Sequence, residues 1–281
     1  MVQLPLRLMT GVALLAGSVL STACVDIVAN DSSHVERDEK RFAVTGQATL
    51  NLTTFDGAIE VTSWDRPEVL VVVEKRGADA EAVATIDVDI RQDGNDISVR
   101  ADRRGSEPQT FGWHRSRVAT VFVTAPATTT VSARTGDGHI SVRDLRAELS
   151  LQTGDGAIRV DDVEGRVDAQ SGDGSIRING ALTRVRARSG DGSVTIRARD
   201  GSAAQDDWTI STGDGSVTVE LPDTFNAELD AHSGDGRVRA DRVGLEMSRR
   251  DGRDTLRGRI GDGGKDLRIR TGDGSITIRR Y

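Results

Sequence analysis

Seven aspartates, Asp137, Asp155, Asp173, Asp191, Asp214, Asp235 and Asp273, each occupy the third place of a Ser/Thr-Gly-Asp-Gly tetrapeptide. A carboxylate recurring at fixed spacing could line up to bind divalent cations or a basic ligand. The first four stand 18 residues apart, and later intervals lengthen to 23, 21 and 38. If equivalent residues stack, neighbouring carboxylates lie about 5 Å apart. Their repulsion then costs on the order of 0.8 kcal/mol per pair in water-like surroundings. Calcium takes about six to eight oxygens, and one Asp per unit with no carboxylate two residues away supplies too few. The calcium-binding Gly-Gly-x-Gly-x-Asp pattern is absent. The competing reading is a corner, in which Asp bonds locally to the backbone and tolerates the positive φ that tight turns demand. The corner is favoured over the weak cation column.

Other chemically capable residues are sparse. His34, His114, His139 and His232 form no His-x-x-x-His pair and the single cysteine stands apart, so no metal site, cofactor or catalytic residue is expected. Neither a Gly-x-Ser-x-Gly elbow nor a phosphate-binding loop occurs. Trp208 falls in phase with Ile210 and reads as core. Trp113, in the loop 106–117, is the one expected exposed aromatic platform.

The single cysteine, Cys24, closes "MVQLPLRLMTGVALLAGSVLSTAC", which carries Arg7, an apolar run and then small residues. That is the layout of a secretory signal whose apolar run is short for a membrane span. "LSTAC" resembles a bacterial lipobox, with Ser21 where leucine is commoner. The resemblance implies a signal peptide over 1–23 and a lipid-bearing Cys24. The polar stretch 24–40 then reads as a tether.

The elements that must position the aspartates follow from alternation. Val131, Ala133 and Thr135 precede the first corner, and Ile140 and Val142 follow it. Leu149, Leu151, Thr153, Ile158 and Val160 repeat the pattern. A period of two means strand. Each unit thus holds two short strands meeting at Gly-Asp-Gly, with a second bend near "RDLRA" or "DVEGR". Asp-Gly between alternating strands is also a hairpin signal, so an antiparallel meander competes with a parallel solenoid. Near-identity of equivalent residues favours the solenoid, because like side chains then pack on like. The Ser/Thr before each first glycine would form an inward hydroxyl ladder. "ATIDVDIRQDGNDISVRADR" reads as two strands around a turn.

The Thr-Gly-Asp-Gly-Ser-Ile-x-Ile repeats and the closing "LRGRIGDGGKDLRIRTGDGSITI" resemble the bacterial putative-adhesin family of β-strand-repeat proteins, over roughly residues 41–281. The resemblance implies an all-β, single-domain right-handed β-helix of roughly 18-residue coils. Irregular first coils occupy 41–130 and Gly-Asp-Gly repeats 131–281. Within the first part, "FDGAIEV" stands in for the repeat corner.

The composition agrees. Aromatics are 3% of 281 residues, so the core is aliphatic, and 31 glycines against 5 prolines suit many tight turns. The net charge is −7 with both signs interspersed, which argues against nucleic acid as a partner. The expectation is a noncatalytic cell-envelope lipoprotein at the outer membrane or cell surface. It would meet an unidentified protein or polysaccharide through a flat, repetitive face, with adhesion carried by the resemblance. A periplasmic scaffold or envelope sensor is the alternative. A polysaccharide-active enzyme fits less well, since 18-residue coils leave little loop to wall a cleft.

Overall fold

The structure, a computed structural model, describes residues 33–104 and 117–281. Among them, 21 strands join in one sheet, and the one α-helix is α1 (Ala80–Ala84). The first part holds β1 (His34–Ala43), β2 (Thr49–Thr54), β3 (Ile59–Trp64) and β4 (Glu68–Gly77). After α1 come β5 (Ile86–Asp93), β6 (Asp96–Arg103) and β7 (Val118–Pro126). The regular repeats are β8 (Thr130–Thr135), β9 (Ile140–Arg143), β10 (Arg146–Thr153), β11 (Ile158–Ser171), β12 (Ile176–Ser189) and β13 (Val194–Ala198). They continue through β14 (Trp208–Thr212), β15 (Val217–Leu221), β16 (Ala227–Ser233) and β17 (Val238–Asp241). The last part holds β18 (Leu245–Asp251), β19 (Thr255–Ile260), β20 (Asp266–Thr271) and β21 (Ile276–Arg280).

Two parallel ladders run through the molecule, one before each corner and one after it. Val131, Leu149, Val167 and Val185 pair in successive rungs of the first ladder, each 18 residues from the last. In the second, Ile59, Ile140, Ile158, Ile176, Val194, Val217, Ile276 and Val238 form one continuous buried row. Like therefore packs on like, and a core this thin is filled without large aromatics. The exception is Trp208, fully buried in the first ladder as its phase predicts. Its ring meets Phe225 edge-on at 5.0 Å, and its indole N–H donates to Thr183 O.

The second bend uses left-handed backbone. Asp144 and Asp162, equivalent residues 18 apart, have φ of 59° and 55°, a region that Asp enters at lower cost than most residues. The strands β11 and β12 run through this bend with local register shifts, linking the two ladders into one sheet.

Chain order and stacking order part company at both ends. At one end, the coil β6–β7 stacks outside β2–β3, although it comes later in the sequence. At the other, the C-terminal coil β20–β21 lies between β14–β15 and β16–β17. The 38-residue interval before Asp273 therefore does not hold two ordinary repeats. It holds a cap, with β19 antiparallel on β16 and β18 antiparallel on β19. At the opposite end β5 lies antiparallel on β6, β4 on β7, and β1 on β4. The wholly parallel stack expected from the repeats thus ends in antiparallel strands, which cover otherwise open ladder edges.

The tether assignment for 24–40 also needs correction, since residues 34–40 belong to β1. Their polarity is that of an edge strand. Phe42 is buried, while Glu36 sits opposite Lys75 and accepts from its ammonium at 2.6 Å.

Because β16–β17 contacts the stack through the C-terminal coil, deleting residues 266–281 should cost more than one coil. Amide hydrogen exchange is expected to show protection lost across 227–241 as well as weakened in 208–221. Full protection of 227–241 in the truncated chain would contradict this order of stacking.

Candidate functional site

The hydroxyl before each Gly-Asp-Gly corner points inward and bridges two coils. Thr153, Ser171, Ser189, Thr212 and Thr271 donate to the carbonyl of the last glycine in the neighbouring corner, at 2.8–2.9 Å. Thr135 donates likewise to Gly57 O at 2.9 Å, so "FDG" does serve as the first corner. The same oxygens accept from within their own coil, as when Gly174 N–H reaches Ser171 Oγ at 3.0 Å. Each buried hydroxyl is thereby satisfied as donor, and several as acceptor, which removes the penalty of burying it.

The glycines are explained by approach rather than by dihedral. Gly57 has positive φ, but neither glycine of the seven Ser/Thr-Gly-Asp-Gly corners does. This overturns the expectation that those turns demand a left-handed residue. A Cβ built on Gly156, Gly174 or Gly192 would instead stand 1.9–2.2 Å from the carbonyl oxygen of the equivalent glycine one coil away. Only hydrogen fits there.

The aspartates between them face outward. Asp137, Asp155, Asp173, Asp191, Asp214, Asp273 and Asp235 follow one another in that spatial order, with Asp273 ahead of Asp235 because of the inserted C-terminal coil. All seven are exposed, and among the described residues their carboxylates make neither a side-chain hydrogen bond nor an ion pair. The local side-chain-to-backbone bond expected of a corner Asp is therefore not made. Arg134, Arg188 and Arg270 do not pair with their Asp either. Arg134 donates to Gln152 and Arg270 to Asp230. The first corner differs, since Asp56 is bound by Arg103, whose guanidinium also lies 4.5 Å from the centre of the Phe55 ring. Among the described residues no group of three or more His, Cys, Asp or Glu is placed to hold a metal ion.

Charge is organised on the outer strand faces. Asp230 receives Arg270 from the inserted coil and Arg257 from the cap. Partial burial works to raise the Asp230 pKa, but hydrogen bonds and charge from the two guanidiniums outweigh it and hold the carboxyl below its ordinary range. One carboxylate thus joins three strands. Glu220 plays a similar part between Arg197 and Arg279 and raises the Arg279 pKa through hydrogen bond and charge.

Of the remaining sequence candidates, Cys24 and Trp113 lie outside the described residues. His139 stands 3.7 Å from Glu60, and His232 Nδ1 is 2.8 Å from the Thr255 hydroxyl. Sequence reasoning passed over Arg186, an exposed arginine on β12 whose neighbours across the ladder are Asp168 and Thr209. Alternation alone marks it as outward-facing, but the register that sets its neighbours is a long-range property.

The corner chemistry separates two substitutions at adjacent residues. Gly174→Ala should destabilise the protein by about 1–3 kcal/mol or more, because coils must part to admit the methyl group. Asp173→Asn should change stability by no more than about 0.5 kcal/mol, and favourably, since it removes one charge from a like-charged row. Urea unfolding midpoints measure both. A large loss for Asp173→Asn would show that the carboxylate supports the corner.

Comparison with known proteins places this architecture. The family model Toastrack DUF4097 matches residues 23–279. No curated protein matches the chain. Among solved structures, a "putative cell adhesion protein" from Clostridium sporogenes ATCC 15579 is 15% identical, covering 87% of this chain and 100% of its own, with a TM-score of 0.40. A "putative adhesin" from Bacteroides fragilis NCTC 9343 is 12% identical over 87% of this chain and 97% of its own, TM-score 0.42. A "putative lipid binding protein" from Parabacteroides distasonis ATCC 8503 is 9% identical over 86% and 96%, TM-score 0.39. Likeness at this level transfers no ligand. The family match spans nearly the whole chain, and this protein belongs to the Toastrack DUF4097 family.

Proposed function

We propose that this protein is a noncatalytic interaction module of the bacterial cell envelope, anchored through lipid on Cys24. Its body is a right-handed solenoid of roughly 18-residue coils that presents outward-facing residues as an adhesive surface. The observation that carries this reading is the division of labour along every rung. Inward positions hold aliphatic side chains and hydroxyls committed to the fold, whereas outward positions hold charged and polar groups in parallel rows. Such rows suit many weak contacts spread over a large partner. The exposed Asp row and the guanidiniums beside it are groups for contact rather than for proton transfer.

The lipid anchor rests on the "LSTAC" sequence and on the adhesin-type names of the similar structures, taken together with a family match that begins at residue 23. A chain held at its N-terminus would display the stack away from the bilayer.

Non-permeant protease applied to intact cells tests where the module works. Digestion is expected, with a periplasmic control protein left whole. Protection of the chain would overturn the adhesin reading and favour a periplasmic scaffold or sensor.

A further inference from the structure

We infer that the outer face of the first ladder carries a binding site for a carboxylate-bearing polysaccharide, centred on Arg186 and Arg188. The inference rests on the interaction-module reading and deepens it. The two arginines stand two residues apart on β12, so they share a face with about 6.6 Å between their Cα atoms. Both are exposed. Neither makes a hydrogen bond or ion pair among the described residues, although Asp168 is a register neighbour of Arg186.

Other arginines on this face are engaged. Arg184, two residues earlier on the same strand, donates to Glu148 at 2.9 Å, and Arg268 donates to Asp266 at 3.0 Å. Arg186 and Arg188 thus remain as two adjacent guanidiniums with their donors unspent. Guanidinium forks match carboxylate geometry, and an incoming carboxylate would find both without displacing an internal partner.

The surroundings decide the rest of the ligand. Arg186 lies between Asp168 and Thr209 in the ladder, and Arg188 between Gln170 and Ser211. Thr209 and Ser211 are short and half-buried, so the long arginines rise beside a low floor. These six residues line a depression of about 360 Å³. Its rim mixes donors, an acceptor carboxylate, an amide and two hydroxyls, the set required to pair with sugar hydroxyl groups. A polyphosphate fits less well, because Asp168 stands within the site and the whole chain carries a net charge of −7. The depression opens on a continuous strand face, which admits a long polymer lying across it. A uronate polymer offers what the site lacks, with carboxylates for the guanidiniums and hydroxyls for the floor.

The test uses the full chain in detergent and polygalacturonate oligomers at low salt, followed by calorimetry, with methyl-esterified oligomers as the neutral comparison. Saturable binding is expected to the acid form, and at least tenfold weaker binding to the ester. R186Q/R188Q should lose at least tenfold in affinity while keeping its urea midpoint. S211F, which fills the floor and removes no charge, should weaken binding as well. R177Q, which removes an exposed arginine from the other ladder, should bind as the wild type does. Failure of polygalacturonate to bind, undiminished binding by R186Q/R188Q, or an equal loss in R177Q would each overturn the inference. A chain that is cleaved on intact cells yet ignores polygalacturonate would overturn this inference alone and leave the surface reading standing.

Discussion

Where the corners meet, the last glycine of one coil stands so close to the carbonyl of the equivalent glycine that no side chain fits between them. Beside that contact a buried Ser or Thr hydroxyl closes a hydrogen bond onto the same carbonyl. Close approach and hydroxyl bridge require each other. Without the glycine the hydroxyl could not reach, and without the hydroxyl the carbonyl would sit beside a buried, unpaired oxygen. Fixing the corner fixes the register of the strands on both sides, and register brings isoleucine over isoleucine in the rows beneath. The sequence Ser/Thr-Gly-x-Gly is thus a stacking device, with the aspartate as its solvated outer residue.

A stack built from interchangeable coils has the problem of ending. This chain solves it by departing from sequential order at both extremities and then adding antiparallel strands. An end coil held through a segment distant in sequence cannot peel away one repeat at a time. Ionic contacts reinforce the arrangement, since Asp230 binds both the inserted coil and the cap.

Much of this was legible in the sequence, for reasons tied to particular residues. Alternation around Leu149 and Leu151 marks a strand and its inward face, phase alone buries Trp208, and the Ser/Thr before each corner declares an inward hydroxyl. Stacking order was not legible. The C-terminal Ile276 and the earlier Val238 present equivalent inward positions, and nothing local says that Ile276 lies against Val217. The polar run His34–Lys40 misled because an edge strand and a tether share a composition. The corner glycines misled because close approach and positive φ leave the same residue in the sequence. The unpaired state of Arg186 and Arg188 was hidden for the same reason as the order, because neighbours across a ladder are set by register between distant segments.

The central claim is that units 18 residues apart lie side by side and parallel, leaving their outward residues in rows available for contact. Cysteines at Ser132 and Ser150, introduced with Cys24 replaced by serine, test it directly. In the parallel stack these exposed positions are direct register partners, about 4.8 Å apart and within disulfide reach. In an antiparallel meander an intervening strand would hold them about 9.6 Å apart, beyond that reach. Quantitative oxidation to an intramolecular disulfide with an undiminished urea midpoint is the predicted result. Two free thiols after oxidation, in a chain that remains folded, would contradict the stack.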